Sequence, residues 1–186
     1  MQHAARMTLS NGTFSLGPQV GHVRLHTGRA GAAAKAGHDL VIEAKRWSGS
    51  AVVDPGDPAA SSVNVEVDTS SLEVVSGQGG AKALNDGDIA KIKKNMTEDI
   101  FESSKNPTIS FTSTSIGGTP DAFTITGDLT IKGKTKSVTL TGKAADGKVT
   151  GTGTIVQTEF GIKPFSALMG ALKVADEVGI SFELTL

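Results

Sequence analysis

Phe123-Thr124-Ile125-Thr126-Gly127-Asp128-Leu129-Thr130-Ile131, followed by Lys132-Gly133-Lys134-Thr135-Lys136-Ser137 and then Val138-Thr139-Leu140-Thr141, decides how this chain folds. Phe123, Ile125, Leu129 and Ile131 alternate with Thr124, Thr126, Asp128 and Thr130, and Val138 and Leu140 alternate with Thr139 and Thr141. Successive strand side chains point to opposite faces, so a period of two gives each segment one apolar and one wet face. The connection between them, centred on Gly133, reads as a hairpin. Strict alternation favours antiparallel pairing, because parallel strands are covered on both faces.

The same period extends in both directions. Val23 and Leu25 alternate with His22, Arg24 and His26; Leu40, Ile42 and Ala44 share a face; Val63, Val65 and Val67 alternate with Asn64, Glu66 and Asp68. Ser50-Ala51-Val52-Val53 runs into the turn Pro55-Gly56-Asp57-Pro58, Ile109 and Phe111 alternate with Ser110 and Thr112, and Val178, Ile180, Phe182, Leu184 and Leu186 close the chain. Asp146-Gly147 is the preferred pair for a type I′ turn. About eight strands at hairpin spacing predict an all-β barrel or sandwich. One segment departs from the pattern. Ile89, Ile92 and Met96 fall at i, i+3 and i+7, with Asp86 or Asp88 placed to cap and Lys91, Lys93 and Lys94 following, which predicts a helix over 86–97 that can continue to Phe101. Its lysines read as a solvated face or as a dock for anionic headgroups. A second helix is predicted over Phe165–Leu172, after Pro164.

Composition narrows the function. The 186 residues carry 18 Lys plus Arg against 19 Asp plus Glu, a net charge of −1, which argues against a nucleic-acid partner. With no cysteine, disulfides, thiolate catalysis and zinc–thiolate sites are excluded. No apolar run approaches the length of a membrane span. The N-terminal Met1–Thr13 has no apolar stretch of signal-peptide type, so a cytoplasmic protein is expected, although a mature exported chain would read the same. Residues 1–11 read as a flexible leader and 12–186 as one barrel domain.

Three blocks resemble the YceI-like family: Trp47-Ser48-Gly49 with Val52-Val53-Asp54, Asn106-Pro107-Thr108-Ile109-Ser110-Phe111-Thr112-Ser113-Thr114, and Phe123 through Lys136. The likeness runs with gaps from Gly12 to Leu186. It implies a lipocalin-like antiparallel β-barrel with one or two short helices, holding a polyisoprenoid or another long lipid, such as a fatty-acid-like one, in its lumen, with pairing into homodimers open to it. Where family members carry an Arg/Asp/His-Leu stretch, this chain has Gly77-Gln78-Gly79-Gly80-Ala81-Lys82-Ala83-Leu84. Gly37-His38-Asp39-Leu40 and Lys163 through Leu172 are similar to a cytoplasmic subgroup.

A barrel of this size is either filled by its own side chains or left as a cavity for one small molecule. The inward set is Val23, Leu25, Leu40, Ile42, Val65, Val67, Ile109, Phe111, Ile125, Leu129, Val138, Leu140, Ile180 and Phe182. It is rich in mid-sized aliphatics, and the whole chain has one Trp and no Tyr, so a cavity is favoured. Expected ligand contacts are these residues of the strands together with Trp47, Ile89, Ile92, Met96, Phe101, Phe160, Phe165, Leu168, Met169 and Leu172, the last five as a lid or a plug at one end. His38 is the candidate polar anchor for a headgroup at the rim. His22 and His26 stand about 13 Å apart on one strand face, too far for one metal ion. Their neighbours Val23 and Leu25 take the inner face.

No catalytic residue, metal ligand or cofactor is assigned, and the partner expected is a small lipophilic molecule, bound for sequestration or transport. Neither a phosphate loop, nor a Gly-x-Ser-x-Gly elbow, nor His-Glu-x-x-His occurs. The rivals are a metal-dependent or acid/base enzyme using His38 and Asp39, and a ligand-free, stress-associated scaffold with a filled barrel.

Overall fold

The computed structural model describes residues 9–186. Of the leader expected over 1–11, residues 1–8 lie outside the described residues, while Leu9 packs against the core and the first strand starts at Gly12. The strands are β1 (Gly12–Leu16), β2 (Gly21–His26), β3 (Arg29–Ala30), β4 (His38–Ala44), β5 (Trp47–Val53), β6 (Ser62–Asp68) and β7 (Leu72–Gly79). After helix α1 (Asp86–Asn95) come β8 (Thr108–Thr119), β9 (Ala122–Ile131), β10 (Lys134–Ala145), β11 (Lys148–Val156), β12 (Ser166–Ala167), β13 (Leu172–Val174) and β14 (Glu177–Thr185). Eleven of them form one antiparallel sheet in the order β1-β5-β6-β8-β9-β10-β11-β14-β2-β4-β7, curled into a half-barrel. The remaining three, β12-β13-β3, form a small second sheet.

The hairpin read from the sequence is β9–β10. Leu140 pairs with Ile125, Thr139 with Thr126 and Lys134 with Ile131. Its turn residues Lys132 and Gly133 have φ of +52° and +74°, and Asp146 and Gly147 between β10 and β11 have +54° and +78°. Positive φ at both central positions is the type I′ geometry, whose twist matches that of the flanking strands.

The large sheet has three strands more than the eight read from alternation: β1, β7 and β11. In β11 the inward positions are Val149, Gly151, Gly153 and Ile155, so two glycines interrupt the apolar rhythm. β7 ends in Ser76-Gly77-Gln78-Gly79 at one edge of the sheet, where little is buried.

Helix α1 forms where predicted, with a different cap. The Asn85 side chain accepts from the Asp88 amide at 2.9 Å, and the Asp88 carboxylate accepts from the Asn85 amide at 3.1 Å, a reciprocal capping box. The helix continues as a π-helical turn over Met96–Ile100, which turns Met96 and Phe101 into the core. Lys93 does not stand free in solvent. Its Nζ donates to the carbonyls of Ser70 and Leu72, clamping α1 onto the start of β7.

The second predicted helix is absent. Phe165–Leu172 is instead the hairpin β12–β13, whose tip is a tight turn at Leu168–Gly170. Ser166 pairs with Lys173, Lys173 pairs with Ala30, and the Val174 amide donates to the Phe165 carbonyl at 2.9 Å. An amphipathic helix forms when a neighbour covers its apolar stripe; here Leu168 and Met169 face solvent, and backbone pairing with β3 decides the conformation.

Candidate ligand-binding cavity

The concave face of the large sheet encloses a cavity of about 750 Å³. Strand alternation builds its wall. Every member of the inward set lines it: Val23, Leu25, Leu40, Ile42, Val65, Val67, Ile109, Phe111, Ile125, Leu129, Val138, Leu140, Ile180 and Phe182. Trp47 joins from β5, Ile92, Met96 and Phe101 join from α1 and the turn after it, and Phe165 and Leu172 join from the small sheet. The volume lies within the range of small-molecule sites.

Four expected contacts do not line the cavity. Phe160, in the 3₁₀ turn Gln157–Phe160, is 1% exposed and belongs to the packed core. Ile89 is half-buried on the first turns of α1, away from the lumen. Leu168 and Met169, at the tip of the β12–β13 turn, point into solvent and close nothing. The lid expected over the mouth is therefore reduced to the side of the hairpin that carries Phe165, Leu172 and Val174.

What keeps the lumen hollow is partly a set of residues the alternation did not reveal. On the inward row of β9, Gly127 stands where a Cβ would collide with the Phe111 ring. On β11, Gly151 does the same for Phe182. Each ring packs against the glycine of the neighbouring strand, in the space a side chain there would fill. The row Phe123-x-Ile125-x-Gly127-x-Leu129-x-Ile131 and the row Val149-x-Gly151-x-Gly153-x-Ile155 carried this signal as glycines in phase with apolar residues. Ile116 was missed for another reason. A register shift between Ser113 and Ser115 in β8 changes the phase of alternation and turns Ile116 inward.

Polar groups gather near the small sheet. His38 lines the cavity, and its Nε2 donates to the Lys82 carbonyl at 2.8 Å. Asp39, its neighbour in β4, points to the other face and is held by Arg29, whose backbone N–H and Nε donate to Oδ1 at 3.0 and 3.2 Å. His38 and Asp39 thus serve different partners. Among the described residues no group of three or more His, Asp or Glu side chains gathers where it could hold a metal ion. His26 lies outside, with Nε2 2.7 Å from Ser181 Oγ. The carboxyls held below their usual range also belong to ion pairs outside the cavity. Glu43 is lowered by its hydrogen bond from Lys45, then by Arg24; Asp68 by Ser70; Glu102 by Lys132; Glu183 by Lys148. Buried Trp47 Nε1 has no hydrogen-bond partner among the described residues.

A curled antiparallel sheet around an apolar hollow agrees with what comparison of the sequence returns: residues 19–186 match the YceI-like domain. The chain belongs to the YceI-like family. Among its relatives, Protein YceI of Escherichia coli O157:H7 is 34% identical over 99 residues, covering 53% of this chain and 46% of that protein. A UPF0312 protein of Pseudomonas aeruginosa strain LESB58 is 34% identical over 97 residues, covering 52% and 44%. The aligned part is thus about half the length of these YceI relatives. Two solved structures share the fold. BcnA of Burkholderia cenocepacia superposes with a TM-score of 0.62 at 22% identity, over 87% of this chain and 94% of that one. A YCEI protein of Campylobacter jejuni gives 0.56 at 18% identity, over 77% and 81%. No helix among the described residues is long and apolar enough to cross a membrane.

Proposed function

We propose that this YceI-like protein binds a long-chain amphiphilic lipid of isoprenoid type in its lumen, without catalysis, and so sequesters or carries it. The observation that supports this most is the cavity of about 750 Å³ with walls of aliphatic and phenylalanine side chains. Family membership supports it too, because YceI-like proteins are generally binding proteins rather than enzymes. Each buried methylene contributes about 0.8 kcal/mol, so ten of them give roughly 8 kcal/mol before the cost of association. The headgroup would sit near His38, at the polar rim.

Native mass spectrometry of gently purified protein tests the reading. A bound mass in the lipid range is expected. In Leu129→Trp, an indole placed in the wall should abolish that mass while the circular dichroism spectrum stays that of a folded β protein. An apo mass that no added isoprenoid alcohol changes, or equal binding by the variant, would overturn the reading.

A further inference from the structure

The hairpin β12–β13 displays what the rest of the molecule hides. Met169 is fully exposed and Leu168 is 62% exposed. Both stand in the left-handed region, with φ of +56° and +51°, and Gly170 follows at +87°. Residues with side chains adopt this conformation singly and at an energetic cost, so two in succession mark strain held at an exposed apolar tip. The hairpin and the loop it pairs with carry cations, and the carboxylates follow only beyond their ends, at Asp39, Asp176 and Glu177. From Lys163 to Ala175 the chain carries two lysines and no carboxylate, and from Gly28 to His38 it carries Arg29 and Lys35 and no carboxylate, although the protein as a whole is at −1. The two stretches are joined: the Ala33 amide donates to the Ala171 carbonyl at 2.8 Å, and Lys173 pairs with Ala30. Lys35, Lys163 and Lys173 are exposed. Asp39 pairs with Arg29, and Lys35 shares a surface hollow with Asp39 and Glu177; Lys163 and Lys173 make no ion pair among the described residues.

We propose that this tip docks the protein on an anionic lipid bilayer. Leu168 and Met169 enter the acyl boundary, while Lys163 and Lys173 meet lipid phosphates, the arrangement of an interfacial anchor with one apolar and one cationic element. Phe165, Leu172 and Val174 lie on the same hairpin and line the cavity, so docking brings a wall of the lumen to the membrane surface. That docking serves lipid exchange rests on the carrier reading above; the docking itself does not.

Flotation with vesicles tests it, using phosphatidylcholine alone and phosphatidylcholine mixed with phosphatidylglycerol. The protein should float with the mixed vesicles, less with the neutral ones, and less as salt rises. Met169→Asp should lower the bound fraction about tenfold and Lys163→Gln about fivefold, with unchanged thermal unfolding because neither side chain is packed. Absence of flotation with the anionic vesicles, or flotation of Met169→Asp equal to that of the parent, would overturn the proposal. So would a dimer in sedimentation that Met169→Asp converts to monomer, since the tip would then be an interface between copies. Uptake of a polyprenol from detergent micelles, read separately, keeps the two proposals apart. A protein that docks on vesicles yet takes up no polyprenol loses the carrier reading and retains the docking surface.

Discussion

The connection between β11 and β14 has two halves that behave against their composition: Gln157–Ile162 is the more polar and Phe165–Gly170 the more apolar. Gln157–Ile162 folds into the molecule, with Phe160 at 1% exposure and Ile162 also buried. Phe165–Gly170, a few residues on, holds Phe165 partly out and places Leu168 and Met169 in solvent. The first half is anchored at its start. Gln157 donates through its backbone N–H to the Asp176 carbonyl at 2.8 Å and through Nε2 to the Ala175 carbonyl at 2.9 Å, while Asp176 accepts from the Thr158 amide at 2.9 Å and the Thr158 hydroxyl at 2.7 Å. The second half has hydrogen bonds along its strands and none from side chains at its tip among the described residues. Apolar composition therefore does not by itself place a residue inside; the backbone anchors around it do.

Phe160→Ala should show the contrast at its largest. Emptying a fully packed phenylalanine site costs about 3–5 kcal/mol, whereas Met169→Ala should stay within about 0.5 kcal/mol of the parent. Urea unfolding of both variants measures the gap. Similar losses in the two would mean that the halves are equally packed. A smaller effect is expected from Asp176→Ala, which removes both acceptors of Thr158. Two charge-assisted bonds at a half-exposed site are worth about 1–2 kcal/mol. Hydrogen exchange should quicken at Thr158 and Ile162 and stay unchanged in β12–β13; equal quickening in both would erase the distinction between anchored and free halves.

Much of the fold was legible because burial on one face imposes a rhythm that sequence retains. The hairpin at Gly133, the turn at Asp146-Gly147 and the rows on β2, β4, β6, β9, β10 and β14 all follow from alternation. β11 was not legible by the same rule, since Gly151 and Gly153 sit where the rule wants bulk. Those glycines also help keep the lumen open, so the property that conceals the strand is the one that matters for the site. Met96 was legible on the apolar face of the helix from its spacing with Ile89 and Ile92, but the π turn that aims Met96 and Phe101 was not. Phe160, Phe165, Leu168, Met169 and Leu172 read as one apolar group from sequence. Only hydrogen bonds to residues far along the chain, Asp176 for the first half and Ala30 and Ala33 for the second, separate them.

The tip offers the finest test, because there the sign depends on two opposed effects. Met169 has φ +56° and ψ +35°, and its Cβ disfavours that conformation by about 1–2 kcal/mol. Met169→Gly removes the Cβ and with it the strain. It also gives the unfolded chain more freedom, which disfavours folding by about 0.5–1 kcal/mol. Burial does not enter, since the side chain touches solvent on all sides. The net expectation is stabilisation by about 0.5–1 kcal/mol in urea unfolding, with Met169→Ala, which keeps the Cβ, near zero. Destabilisation by glycine would mean that the left-handed turn carries little strain. With stabilisation, the parent residue is one that the fold alone would not select, and the reason for its presence has to be sought in what the tip touches outside the molecule.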